Sequence, residues 1–119
     1  MLLEPAEPTQ PIVSESSERR RAKTRLTTQL SLTRARYRQC PSDYLCGAIA
    51  ALSWMNEESP HSPLTMQAIH ADTADIEQEY EEADSSAQST ADIPLHEFCT
   101  GISTSLAWAL GYTATPPIS

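Results

Sequence analysis

The string GAIAALSW at residues 47–54 returns as GISTSLAW at residues 101–108, a Gly-x4-Leu-x-Trp pattern repeated 54 positions on. The chain has only three glycines and two tryptophans, and the repeat takes two of the glycines and both tryptophans. Sliding 43–65 onto 97–119 without a gap extends the match, pairing Asp43 with Glu97, Tyr44 with Phe98, Pro63 with Pro117 and Leu64 with Ile118. On a helix of about 100° per residue the large side chains of both copies fall on one arc, so the same face is buried twice. Each glycine costs about 1 kcal/mol of helix propensity. Burying an indole of about 150–250 Å² contributes on the order of 4–6 kcal/mol. A missing side chain at Gly47 or Gly101 lets another backbone or ring approach closely. The expected core is therefore Tyr44, Gly47, Leu52 and Trp54 from one copy and Phe98, Gly101, Leu106 and Trp108 from the other.

Helix signals surround the repeat, and no stretch alternates at period two over a strand's length. A first helix is expected from about residue 17 to 39, ending before Pro41. A second is capped by Ser42, carries Asp43 in its first turn, and ends near Asn56. Ser62-Pro63 predicts the start of a third helix reaching about Asp84, followed by the polar linker SSAQSTA. Asp92 caps a fourth, with Gly111 at its C-terminal end. At 119 residues this makes one domain. The expectation is an all-α four-helix bundle made of two helical hairpins, 17–60 and 61–119, within a single helical domain 17–119. Residues 1–16, with three prolines and no apolar period, read as a disordered arm.

The net charge of −8 conceals a segregation. All eight cations lie within residues 19–38, where there is no acid, and from residue 39 onward there are acids but no Lys or Arg. In the first helix Ala22, Leu26, Leu30, Thr33 and Tyr37 form a narrow apolar stripe with Arg21, Lys23, Arg25, Arg34, Arg36 and Arg38 on its shoulders. In the third, the stripe Met66, Ile69, Thr73, Ile76, Tyr80 and Ala83 is flanked by Asp72, Asp75, Glu77, Glu79, Glu81, Glu82 and Asp84. Opposite shoulders select hetero-pairing and forbid self-pairing. Helices one and three are diagonal in an up-down-up-down bundle, so pairing between two copies and a homo-oligomer are expected. The basic segment also suits phosphates, with Arg34, Arg36 and Tyr37 the foremost contacts. The acidic segment could instead mimic nucleic acid or hold a basic partner.

No catalytic or cofactor motif stands out. Cys40, Cys46, Cys99, His61, His70 and His96 include one pair at helical spacing, His96 and Cys99, but no CxxC or HxxxH pair to complete a zinc site. Cys46-Gly47 at a helix start superficially resembles a papain-like peptidase, whose histidine needs strands not expected here. Three cysteines cannot pair off completely, which favours reduced thiols. No apolar run approaches the roughly 20 residues of a membrane span, and the N-terminus lacks the pattern of a signal peptide. A cytoplasmic protein without cofactor, metal or membrane partner is the expectation.

The string Tyr44-x2-Gly47-x4-Leu52-x-Trp54, with Phe98-x2-Gly101-x4-Leu106-x-Trp108-Ala109-Leu110-Gly111 and its trailing prolines, resembles small uncharacterised proteins of actinobacteria and their phages. The likeness covers about 40 residues and departs in the first copy, where MNEES replaces the Leu-Gly after the tryptophan. It implies a phage or prophage setting, hence the host cytoplasm, and no particular chemistry. The expected function is a non-enzymatic interaction protein that occupies a macromolecular partner, as an anti-defence or host-takeover inhibitor does. A DNA-binding regulator using 19–38 and a small virion component are the alternatives.

Overall fold

The repeat segments form two helices that cross at their glycines. In the computed structural model, which describes residues 23–66 and 72–118, the helices are α1 (Lys23–Gln39), α2 (Asp43–Met55), α3 (Thr73–Ser89) and α4 (Ile93–Leu110), with no strand among the described residues. The N-terminal arm, Arg21, Ala22, Ile69 and His70 lie outside those residues. α1 packs on α2 and α3 on α4, and the two hairpins join through the extensive contact between α2 and α4. The architecture is an all-α bundle of two hairpins. No described helix is long and apolar enough to cross a membrane.

At the crossing the contacts come in exchanged pairs. A Cβ built on Gly47 would overlap the carbonyl oxygen of Phe98 and fall 2.9 Å from its carbonyl carbon. One built on Gly101 would overlap the carbonyl oxygen of Tyr44 and fall 3.0 Å from the Ala48 nitrogen. Tyr44 and Phe98 are repeat equivalents, so each glycine receives the backbone that the other copy's aromatic residue supplies, as an approximate two-fold axis requires. Glycine Cα–H groups facing carbonyls at such range have the geometry of weak C–H···O contacts. Around the crossing Ala48, Leu52, Ile102 and Leu106 are fully buried, and Trp54 and Trp108 are 0% and 6% exposed.

The C-terminal helix ends repeat the same relation, whereas the N-caps share only their chemistry. Ser42 and Asp92 accept the N–H groups of Leu45 and Leu95 as N-caps. At the C-terminal ends, Glu57 N–H bonds the Trp54 carbonyl and Glu58 N–H that of Ser53, while Gly111 N–H bonds Trp108 and Tyr112 N–H bonds Ala107. These are one Schellman motif built twice. Gly111 is left-handed with φ 83°, and Glu57 holds φ 63° at the equivalent position. The departure of the first copy at MNEES therefore leaves the backbone unchanged and places a strained glutamate where the second copy has glycine.

The third helix differs from its expectation. Residues 63–65 form a turn, Met66 has φ 62° and is exposed, and α3 starts after Asp72 and runs on to Ser89. The reason is Glu79, whose carboxylate accepts the N–H of Leu64 (2.6 Å) and of Thr65 (3.2 Å) as well as the Thr65 hydroxyl. Those N–H groups are thus satisfied without a helix. Asp72 and Asp75 supply a reciprocal capping box for the actual start. The expected linker SSAQSTA is largely helical because Ala87 is buried, with Ser86 and Gln88 donating to Glu82 and Asp84 one turn back.

The first helices of the hairpins also correspond, at a spacing of 50. Leu26 and Ile76 are buried, as are Thr33 and Ala83, and Gln29 matches Glu79. Gln29 Oε1 accepts the N–H of Ile118 at 3.2 Å. Each hairpin thereby holds the tail of the other: Glu79 grips Leu64 beyond α2, and Gln29 grips Ile118 beyond α4.

Candidate partner-binding surfaces

α1 turns Leu26, Gln29, Leu30 and Thr33 inward, which leaves Lys23, Arg25, Arg36 and Arg38 exposed. Thr24, Thr28 and Ser31 are exposed on the same helix and Tyr37 is 36% exposed near its end. Arg34 is partly committed: its guanidinium donates to Glu58 at 2.8 Å and to Ser53 Oγ at 3.3 Å, tying α1 to the end of α2. With both side chains nearly half exposed, that pair adds at most a fraction of a kcal/mol. The described cations Lys23, Arg25, Arg34, Arg36 and Arg38 thus share one helix, with Arg34 as a bracing residue as well as a surface cation.

The acidic face is smaller than expected. Glu79 does not belong to it: it is 0% exposed and spends its carboxylate on the turn at 64–65. Three charge-assisted hydrogen bonds compensate its burial. Asp72 and Asp75 cap α3, and Glu77 accepts the Tyr112 hydroxyl at 3.0 Å. Glu81 and Glu82 remain exposed on the outer side. Among the described residues α1 and α3 sit on different partners, α2 and α4 respectively, and share no comparable contact.

A cleft of about 490 Å³ opens at the corner between α1 and α2. Leu45, Pro116, Pro117 and Ile118 give it apolar walls, with Arg36 and Cys40 among the polar groups. Tyr44 lines it too and donates its hydroxyl to the Pro117 carbonyl at 2.7 Å, which pins the tail across the corner. Burial holds the Tyr44 phenol above its usual pKa. Sequence reasoning missed this cleft, because half its wall arrives from residues 115–118. The unused signal was the alignment of Pro117 with Pro63, which marks both tails as built parts of the fold.

Among the described residues no three His, Cys, Asp or Glu side chains gather as a metal site requires. The His96–Cys99 pair is taken up locally: His96 Nδ1 lies 2.7 Å from the Ala87 carbonyl. Cys99 is buried, its thiol pKa raised first by that burial and then by the Glu82 carboxylate. Cys40 and Cys46 are free and exposed. No family model, curated protein or solved structure matches the chain.

Proposed function

We infer that the protein is a non-enzymatic interaction protein of phage type, which acts by laying the outer side of α1 on an acidic macromolecular surface. The observation that carries this is the exposure of Lys23, Arg25, Arg36 and Arg38 on a helix whose opposite side is fixed in the core. Thr24, Thr28 and Ser31 lie between the cations, so a partner can come close to the helix backbone. Opposed charge speeds encounter and rejects wrong partners, while the apolar and polar contacts between the rows hold the complex. An acidic host protein, bound and thereby inhibited, suits the phage setting implied by the repeat motif.

Duplex DNA is the second reading, favoured by the hydroxyls of Thr24, Thr28 and Ser31, which donate to phosphate oxygens as Arg and Lys do. The two are separated by comparing the wild type with Arg25→Glu/Arg36→Glu/Arg38→Glu in host-lysate capture and in titration of random duplex DNA across a salt series. A protein retained by the wild type and lost by the variant supports the first reading. Affinity for DNA falling with a log–log salt slope of about −0.9 per neutralised phosphate supports the second. Equal behaviour of wild type and variant in both assays refutes the use of α1.

A further inference from the structure

The two copies of the repeat differ in one respect that bears on assembly. α2 starts at Asp43, and the equivalent residue of α4 is Glu97, yet α4 starts at Ile93. Residues 93–96 are therefore an extra turn without a counterpart. That turn holds two apolar side chains out into solvent: Ile93 is 69% exposed and Leu95 45%. The acids Asp92 and Glu97 flank it, both exposed. The two aliphatic groups stand either side of Pro94 at the tip of the helix, so an end-on approach brings both against the walls of a cleft.

The first hairpin offers the complementary feature at its own corner. Beside the start of α2, where it lacks that turn, lies the cleft walled by Leu45, Pro116, Pro117 and Ile118. Its rim carries the opposite charge, from Arg36 in the lining and exposed Arg38 on the same helix end. Ile93 and Leu95 do not line the cleft of their own chain. The geometry points to head-to-tail self-association, in which the Ile93–His96 turn of one copy seats in the α1–α2 cleft of the next. Ile93 and Leu95 meet the apolar walls, and Asp92 and Glu97 meet Arg36 and Arg38. The rim of the cleft shares Arg36 and Arg38 with the outer side of α1, whereas the turn lies on α4, so variants of Ile93 and Leu95 test this contact apart from any partner of that side.

The contact is heterologous, since a turn meets a cleft and never another turn. Each added copy leaves one turn and one cleft open, so assembly continues until a ring closes or the chain of copies ends. One turn in one cleft buries less than a stable interface of roughly 1,200–2,000 Å², so association is weak and concentration-dependent.

Cysteine placement tests the register. In a Cys46→Ser background, Leu95→Cys faces the native Cys40 of the next copy. Mild oxidation should give a ladder of disulfide-linked dimers, trimers and higher species, which Cys40→Ser abolishes; buried Cys99 does not compete. A ladder unchanged by Cys40→Ser, or only a Cys40-independent dimer, overturns the proposal. Complementation tests the polarity without a cross-link. Ile93→Asp/Leu95→Asp removes the turn's apolar groups, and a bulky maleimide on Cys40, again with Cys46→Ser, blocks the cleft. Each should sediment as a monomer where the unmodified protein associates, and an equimolar mixture should form a 1:1 dimer and nothing larger. Self-association retained by the aspartate variant, or a monomeric unmodified protein up to about 500 µM, overturns it; circular dichroism confirms that these exposed substitutions leave the fold intact.

Discussion

Alanine at Gly47 or Gly101 is the sharpest probe of the crossing. In an ordinary helix the change is stabilising by about 1 kcal/mol. Here the new methyl group would overlap a carbonyl oxygen of the facing helix and stand 2.9 Å from the Phe98 carbonyl carbon, or 3.0 Å from that of Tyr44. Restoring ordinary contact at about 3.5–4.0 Å requires α2 and α4 to separate by on the order of 1 Å, and such a gap forfeits a quarter to a half of the dispersion energy across it. The seam contains Ala48, Leu52, Ile102 and Leu106, all fully buried, so the loss is spread over the centre of the core. Overpacking of this kind costs typically 1–3 kcal/mol and occasionally more. Because it falls on backbone at the joint between hairpins, we expect a net loss of about 2–4 kcal/mol for either variant, after the gain in propensity. For a domain of this size that lowers Tm by roughly 10–25 °C. Thermal and urea denaturation followed by circular dichroism at 222 nm measure it, with Ala50→Gly as the control for propensity alone. A more stable Gly47→Ala, or a large loss at one glycine and none at the other, refutes the reciprocal crossing.

Glu57→Gly should stabilise the fold by about 0.5–1 kcal/mol by relieving its left-handed φ, and Gly111→Ala should destabilise it by about 1–2 kcal/mol, both read as urea midpoints. Glu79→Ala leaves two N–H groups and a hydroxyl without their acceptor and should cost about 3–4 kcal/mol. Glu79→Gln keeps the shape and an acceptor, as Gln29 does in the first hairpin, and should cost about 1–2 kcal/mol in the same assay. The raised pKa of Tyr44 makes the unfolded chain lose its phenolic proton first, so stability from this group is complete below about pH 10 and declines as pH rises further. Absorbance at 295 nm should show a phenol titrating above the ordinary tyrosine range, and Tyr44→Phe should remove both that phase and its share of the alkaline loss.

The central pair of helices was legible because its markers are rare residues. With so few Gly and Trp in the chain, a gapless register of 54 pointed to paired tryptophans, two hairpins and a close approach at each glycine, while the meeting of the two glycine helices with each other came from the structure. Caps at Ser42, Asp92 and Gly111 marked helix ends because their chemistry acts within one turn. The start of α3 was not legible for the opposite reason. Ser62-Pro63 has the local form of a helix start, and what prevents it is a carboxylate 15 residues onward. The register of 50 between α1 and α3 was hidden by charge: Arg25 and Arg34 correspond to Asp75 and Asp84, so a shared inward pattern carries opposite outer surfaces. That same divergence made Glu79 look like one more surface acid. Lys23, Arg25, Arg36 and Arg38 lie exposed beside the stripe they flank in the sequence, whereas the cleft depends on a tail folded across the molecule and has no local signature.

The exchange of tails sets a limit on the order in which the fold can complete itself during synthesis. Residues of the first hairpin leave the ribosome early and can form α1 and α2, since contacts within a hairpin close short loops. Yet Gln29 waits for Ile118, 89 residues later, and Tyr44 waits for Pro117, 73 residues later. Until α4 emerges the glycine groove of α2 stays open to water, to chaperones and to other chains, and until the tail follows the cleft beside it lacks a wall. Closing loops of that length is entropically slow relative to local helix formation. The nascent chain therefore passes through a stage in which one hairpin is made but unclasped, and residues 117–118 complete it.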